Sequence, residues 1–98
     1  MMFQKTPPFR SEAWRRAVAS LPCACCMKEG DTQSAHPNHR GKGMGMKAPD
    51  CWCVPLCWRC HSDFDQGTRW TKQEKRELMD LWIIETIQEL ATRGLVKA

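Results

Sequence analysis

Nothing in this 98-residue sequence is apolar for long enough to cross a bilayer. Its longest such run, "CWCVPLCW", is eight residues and contains a proline, against the roughly 18 that spanning requires. An apolar leader is missing as well: "MMFQKTPPFRSEAWRR" has prolines and charges where the h-region of a secretory signal would sit. No segment repeats, and no Gly-x-x-x-x-Gly-Lys-Ser/Thr phosphate loop occurs. No βαβ pattern surrounds either Cys-x-x-Cys pair, which argues against a thiol-redox protein. These absences predict a cytoplasmic chain forming a single domain over 1–98, with a core too small to be comfortable without a staple.

Cysteine, by contrast, is plentiful: there are seven. The number is odd, and a cytosolic chain keeps its thiols reduced, so they read as metal ligands before disulfides. Cys23 and Cys26 form one Cys-x-x-Cys pair and Cys57 and Cys60 another, with thirty residues between them. Two such turns can present four thiolates tetrahedrally, which suits a structural zinc. Cys25 sits inside the first pair and stays open as an alternative ligand. Cys51 and Cys53 alternate on an expected strand, where they point to one face as small buried hydrophobes, with substitution for a zinc ligand as the alternative. The net charge of +4 permits an anionic partner such as nucleic acid without requiring one.

The expected elements are few. Ser11 is an N-cap for a short helix over "EAWRRAVASL", which turns Trp14, Val18 and Leu21 to one side before Pro22 stops it. "TQSAH" is a short extended segment, "DCWCVPL" is strand-like, and Cys57 begins a turn into a short helix near His61 that Gly67 ends. "TKQE" is a capping box for a C-terminal helix over 71–93, with Gly94 at its C′ position. Leu78, Leu81, Trp82, Ile84, Glu85, Ile87, Leu90 and Ala91 follow its period, and the helix is expected to cover the metal-bearing core. A coiled-coil dimer is the competing use of so short a heptad pattern.

The histidines narrow the reading. His61 follows Cys60 directly, and at helical spacing His61 and Asp65 lie one turn apart on one side. An imidazole and a carboxylate so placed make half of a divalent-ion site with open positions.

"SAH", then "GKGMGMKAPD", then "VPLCWRCHSDFD" resembles the HNH (ββα-metal) endonucleases. The likeness is strongest to small phage and prophage members related to the recombination-enhancement nucleases. It covers 23–67, where a ββα-metal (His-Me finger) core with a four-cysteine zinc site is implied, inside a small zinc-stapled α+β domain. The resemblance implies a DNA endonuclease in which a histidine ending the first strand, here His36, is the general base. His61 then becomes a ligand of a catalytic Mg²⁺ or Mn²⁺, with Asp65 at a further polar or ligand position. DNA, and through the phage relatives a recombination protein, are the implied partners. The chain departs from the pattern at Ala35, where many members carry a histidine or aspartate, and at Pro37. His39 is therefore an alternative base, and Asp50 is the nearest counterpart of the family's middle asparagine.

In the loop "NHRGKGMGMK", Arg40, Lys42 and Lys47 are candidate phosphate contacts beside glycines that allow close backbone approach. Trp52 and Trp58 could stack on bases or simply pack. The expected chemistry is metal-assisted phosphodiester hydrolysis. A catalytically silent zinc module that binds nucleic acid or protein is the reading from a different class.

Overall fold

The computed structural model describes residues 8–37 and 48–96. Within them, α1 spans Glu12–Ala19, β1 Thr32–Ala35, β2 Val54–Cys57, α2 Trp58–Gln66 and α3 Lys72–Thr92, with one 3₁₀ turn at Asp50–Trp52. The α1 helix starts where a hydroxyl can cap it: Ser11 Oγ accepts from the Trp14 N–H at 3.0 Å. It buries Val18, and Leu21 just beyond it, while Trp14 packs beside them.

The two strands pair antiparallel, with Thr32 opposite Cys57 and Ala35 opposite Val54. Pro55 sits mid-strand without cost because its missing N–H faces away from β1. On that same side its carbonyl accepts the Ala24 N–H at 2.7 Å, so the loop after α1 lies along the other edge of β2. All four β2 residues are buried. Val54, Leu56 and Cys57 join Ala35, Phe64, Met79, Trp82 and Ile83 in the larger core cluster. A second cluster unites Val18, Leu21, Cys53 and Leu90 between α1 and the distal half of α3.

Two expectations are corrected here. Cys51 and Cys53 do not alternate on a strand. The Trp52 N–H bonds to Pro49 O at 3.0 Å and the Cys53 N–H to Asp50 O at 3.1 Å, which wraps this segment into a turn, and pairing begins only at Val54. Cys53 is buried, as expected of a small hydrophobe, whereas Cys51 is only half-buried.

The face of α3 differs too. Its inward residues are Met79, Trp82, Ile83, Thr86 and Leu90, and Leu81, Ile84 and Ile87 are exposed. Apolar residues occur all round this helix, so periodicity alone leaves its rotation open. Tertiary contact fixes it, with Phe64 of α2 lying against Trp82 at a centroid separation of 5.2 Å. The ends follow the local chemistry. Thr71 and Glu74 exchange side chain-to-backbone bonds at 3.1 and 2.8 Å. Gly94 takes φ +70°, and the Leu95 N–H returns to Leu90 O at 2.9 Å, a Schellman closure. Among the described residues no helix is long and apolar enough to cross a membrane.

Candidate metal centre

Cys23 to Lys28 form a tight turn in which the Met27 N–H bonds to Cys23 O at 2.8 Å and the Cys23 N–H to Lys28 O at 2.9 Å. Met27 closes it in the left-handed region at φ +67°. The second pair straddles a junction: Cys57 ends β2 and is the extended N-cap residue of α2, and Cys60 lies in the first turn of that helix. Because Ala24 is bonded to β2, the two turns face each other.

The four sulfurs of Cys23, Cys26, Cys57 and Cys60 lie within 4.8 Å of one another. Cys26 Sγ and Cys57 Sγ are 3.8 Å apart. A tetrahedron with Zn–S bonds of about 2.3 Å has edges of about 3.8 Å, so the cluster has the size that zinc requires. The cysteines can hold a metal ion such as zinc. Their charge points the same way. Burial works against ionisation of Cys23, yet the backbone N–H groups of Cys26, Cys57 and Cys25 prevail and lower its thiol to about 7. Cys60 is pushed strongly up by burial and by the three neighbouring cysteines. Thiols this close cannot all ionise unless a cation joins them. Cys25 fits less well as a ligand: its thiol is raised, chiefly by burial, and its side chain packs on the core.

The histidines fall in two places. His36, directly after β1, puts Nε2 2.9 Å from Asp50 Oδ1. Asp50 is almost wholly buried, at 2% exposure, on the 3₁₀ turn. It also accepts the Ser11 N–H at 2.8 Å and pairs with Arg15 Nε at 3.2 Å and Arg10 Nη1 at 3.4 Å. Burial alone would raise the Asp50 carboxyl, but the His36 hydrogen bond, the Ser11 amide and the Arg15 charge hold it below the usual carboxylate range.

Cys53 completes a second cluster within 4.8 Å of His36 and Asp50. It makes a poor metal site. Burial and then the Asp50 charge push the Cys53 thiol up to about 12, and two arginines already occupy the carboxylate. What remains is an imidazole oriented by a buried anion.

His61 and Asp65 do meet across one turn of α2, with Nε2 3.2 Å from Oδ2. The other ring nitrogen of His61 lies 3.5 Å from Gln33 Oε1 on β1. Among the described residues this pair belongs neither to the four-cysteine cluster nor to the three-residue one, and His36 is drawn to Asp50 rather than to it. His39, Arg40, Lys42 and Lys47 lie outside the described residues.

Sequence reasoning missed Ser11, Arg10 and Arg15 as partners of Asp50, and Gln33 as the neighbour of His61. The first three stand 35–40 residues before Asp50 along the chain, so no local signal marks them. The lone acidic residue in "KAPD", directly before an apolar run, was the one hint.

Over residues 1–90 the chain matches the family described as "Protein of unknown function (DUF968)". It is 36% identical over 69 residues to "Uncharacterized protein YdfU" of Escherichia coli (strain K12). That match covers 67% of this chain and 20% of the relative, so the chain spans about a fifth of the length of the curated relative it matches. No solved structure matches it.

Proposed function

The chain belongs to the DUF968 family, and from that premise we propose that it is a metal-dependent endonuclease that hydrolyses phosphodiester bonds in DNA. The observation that carries the reading is the His36–Asp50 pair, a half-buried imidazole held at 2.9 Å by a buried carboxylate. Further support comes from chain order. A strand followed directly by His36, a strand ending at Cys57 and a helix bearing His61 and Asp65 follow one another around the four-cysteine cluster.

The hydrogen bond assigns the roles of the ring atoms. When the neutral ring donates Nε2–H to Asp50, Nδ1 is left as the acceptor nitrogen. Nδ1 takes a proton from a water that attacks phosphorus, and Asp50 steadies the imidazolium that forms. His61 and Asp65 would hold the catalytic Mg²⁺ or Mn²⁺, and Gln33 orients the His61 ring from the strand beside it. Such an ion supplies charge stabilisation at the phosphate and at the leaving 3′-oxygen. Arg40, Lys42 and Lys47 hold the phosphate backbone. A zinc on the four cysteines does no chemistry; it fixes the start of α2 against the hairpin.

One observation favours the silent zinc module. The same Asp50 that orients His36 also ties α1 to the rest of the chain, so the pair could be structural alone. A plasmid-nicking assay with added Mg²⁺ or Mn²⁺ decides between them. The endonuclease reading expects His36→Ala to lose about 10²–10⁴ in rate with zinc content and fold intact. Loss in His39→Ala alone would move the base to His39. Wild-type rates in both variants would leave the silent module.

A further inference from the structure

The protein has five tryptophans, and four are accounted for by packing. Trp14 meets Phe9 edge-on at 5.7 Å, and Trp70 and Trp82 flank Phe64 at 5.6 and 5.2 Å. Trp52 lies half-buried against the larger core cluster. Trp58 is different. It is the first residue of α2 and is 60% exposed, and no aromatic ring among the described residues touches it. An indole left in water forgoes its usual burial, and nothing in the start of the helix calls for one there.

Its surroundings define what could cover it. Trp58 borders a depression of about 250 Å³ that it lines together with Cys26, Lys28, Cys57, Arg59 and Cys60. Lys28 is paired with Asp31 at 2.8 Å, and Arg59 is exposed. Four thiolates around a zinc would carry a net negative charge, which these two cations offset rather than exceed. The depression is therefore a poor phosphate cradle. Cys26, Cys57 and Cys60 belong to the metal cluster, so a zinc would take part of this space, and the exposed indole face at its rim is what remains for an uncharged π surface to cover.

The position on the helix adds direction. Residues 58, 61 and 65 stand at i, i+3 and i+7, so at 3.6 residues per turn Trp58, His61 and Asp65 share an arc of about 60° on α2. Trp58 stands three residues, about 4.5 Å along the helix axis, before His61, which pairs with Asp65. A base set on Trp58 would leave its own sugar-phosphate running along this face toward His61.

We propose that Trp58 is a stacking platform for an unpaired nucleobase, so that the nucleic acid engaged at this face is single-stranded or has a base extruded next to the phosphate to be cut. A paired base inside a duplex hides its π faces against its neighbours; only a splayed or single-stranded base can offer one to an indole. Placement of the phosphate rests on the endonuclease reading, whereas stacking itself does not.

The test uses the full chain with zinc bound and no added divalent ion, so that binding is read without cleavage. Three labelled 12-nucleotide probes are compared by fluorescence anisotropy: a single strand, its duplex, and a single strand of abasic units. Trp58→Ala should weaken single-strand binding about tenfold while leaving abasic binding unchanged, and Trp58→Phe should restore most of the loss. Zinc content confirms that each variant is folded, which the exposure of the residue favours. Equal losses on all three probes, unchanged single-strand affinity in Trp58→Ala, or wild-type protein that prefers the duplex would each overturn the proposal. The last two results, if a peptide or protein partner bound through Trp58 instead, would identify that partner as its occupant. The two readings fail separately: nicking that ignores His36 removes the endonuclease, and binding that ignores Trp58 removes the platform.

Discussion

Removing the Asp50 carboxylate should loosen the protein and silence the histidine together. Two short bonds end on this anion, from the Ser11 N–H at 2.8 Å and from His36 Nε2 at 2.9 Å. Bonds to a charged acceptor contribute about 1.5–3 kcal/mol each. The ion pairs with Arg10 and Arg15 add little, since those side chains are 45% and 46% exposed and such pairs are worth about 0–1 kcal/mol. Against the gross gain stands the cost of burying the charge. Asp50→Ala should therefore destabilise by about 2–4 kcal/mol, because the Ser11 amide then loses its acceptor. Asp50→Asn keeps an acceptor of the same shape and should cost about 1 kcal/mol.

The pH dependence separates charge from shape. The folded Asp50 carboxyl lies below its ordinary value of 3.8. Its contribution is thus complete above that value and is lost as pH falls through the depressed one. The gap between wild type and Asp50→Asn should close as pH falls through the carboxylate range. Urea melts followed by tryptophan fluorescence with zinc present would measure both quantities. An Asp50→Ala variant within about 0.5 kcal/mol of wild type at pH 7 would refute the idea that this carboxylate joins α1 to the histidine.

Two further outcomes follow from the site. Purified protein should hold about one zinc per chain; Cys60→Ser should lose it together with the fold, and Cys53→Ser, whose thiol is held neutral by burial, should keep it. Full metal retention in Cys60→Ser, read by elemental analysis, would remove that ligand from the set. Neutralising Arg40, Lys42 and Lys47 together should weaken DNA binding and flatten its dependence on the logarithm of salt, by up to about 0.9 for each phosphate no longer neutralised. An unchanged slope would make the loop a connection and nothing more.

Where local chemistry decided the structure, the sequence could be read. Ser11, the Thr71–Glu74 box, Gly94 and the two Cys-x-x-Cys turns each act within a few residues, and each is found in its expected role or place. Where partners lie far apart along the chain, it could not. The run through Cys51 and Cys53 has the composition of a strand, yet a turn over Pro49–Cys53 delays pairing to Val54. The rotation of α3 needed Phe64, which no periodicity could supply. The Asp50 network draws Arg10, Ser11 and Arg15 from the opposite side of the cysteine turn.

Cys57 is at once the last residue of β2, the residue that opens α2 and one of four clustered sulfurs. Strand, helix and cysteine cluster therefore have no boundary between them at which one could open without the others. A metal leaving this corner would release the end of the hairpin and the first turn of α2 in the same event. Folding faces the same constraint in reverse, because thirty residues must close before Cys26 and Cys57 can meet. Metal capture would then mark the arrival of the whole hairpin–helix unit: an ion held there would act as a latch on a finished corner, and its release rate would set how long that corner stays shut.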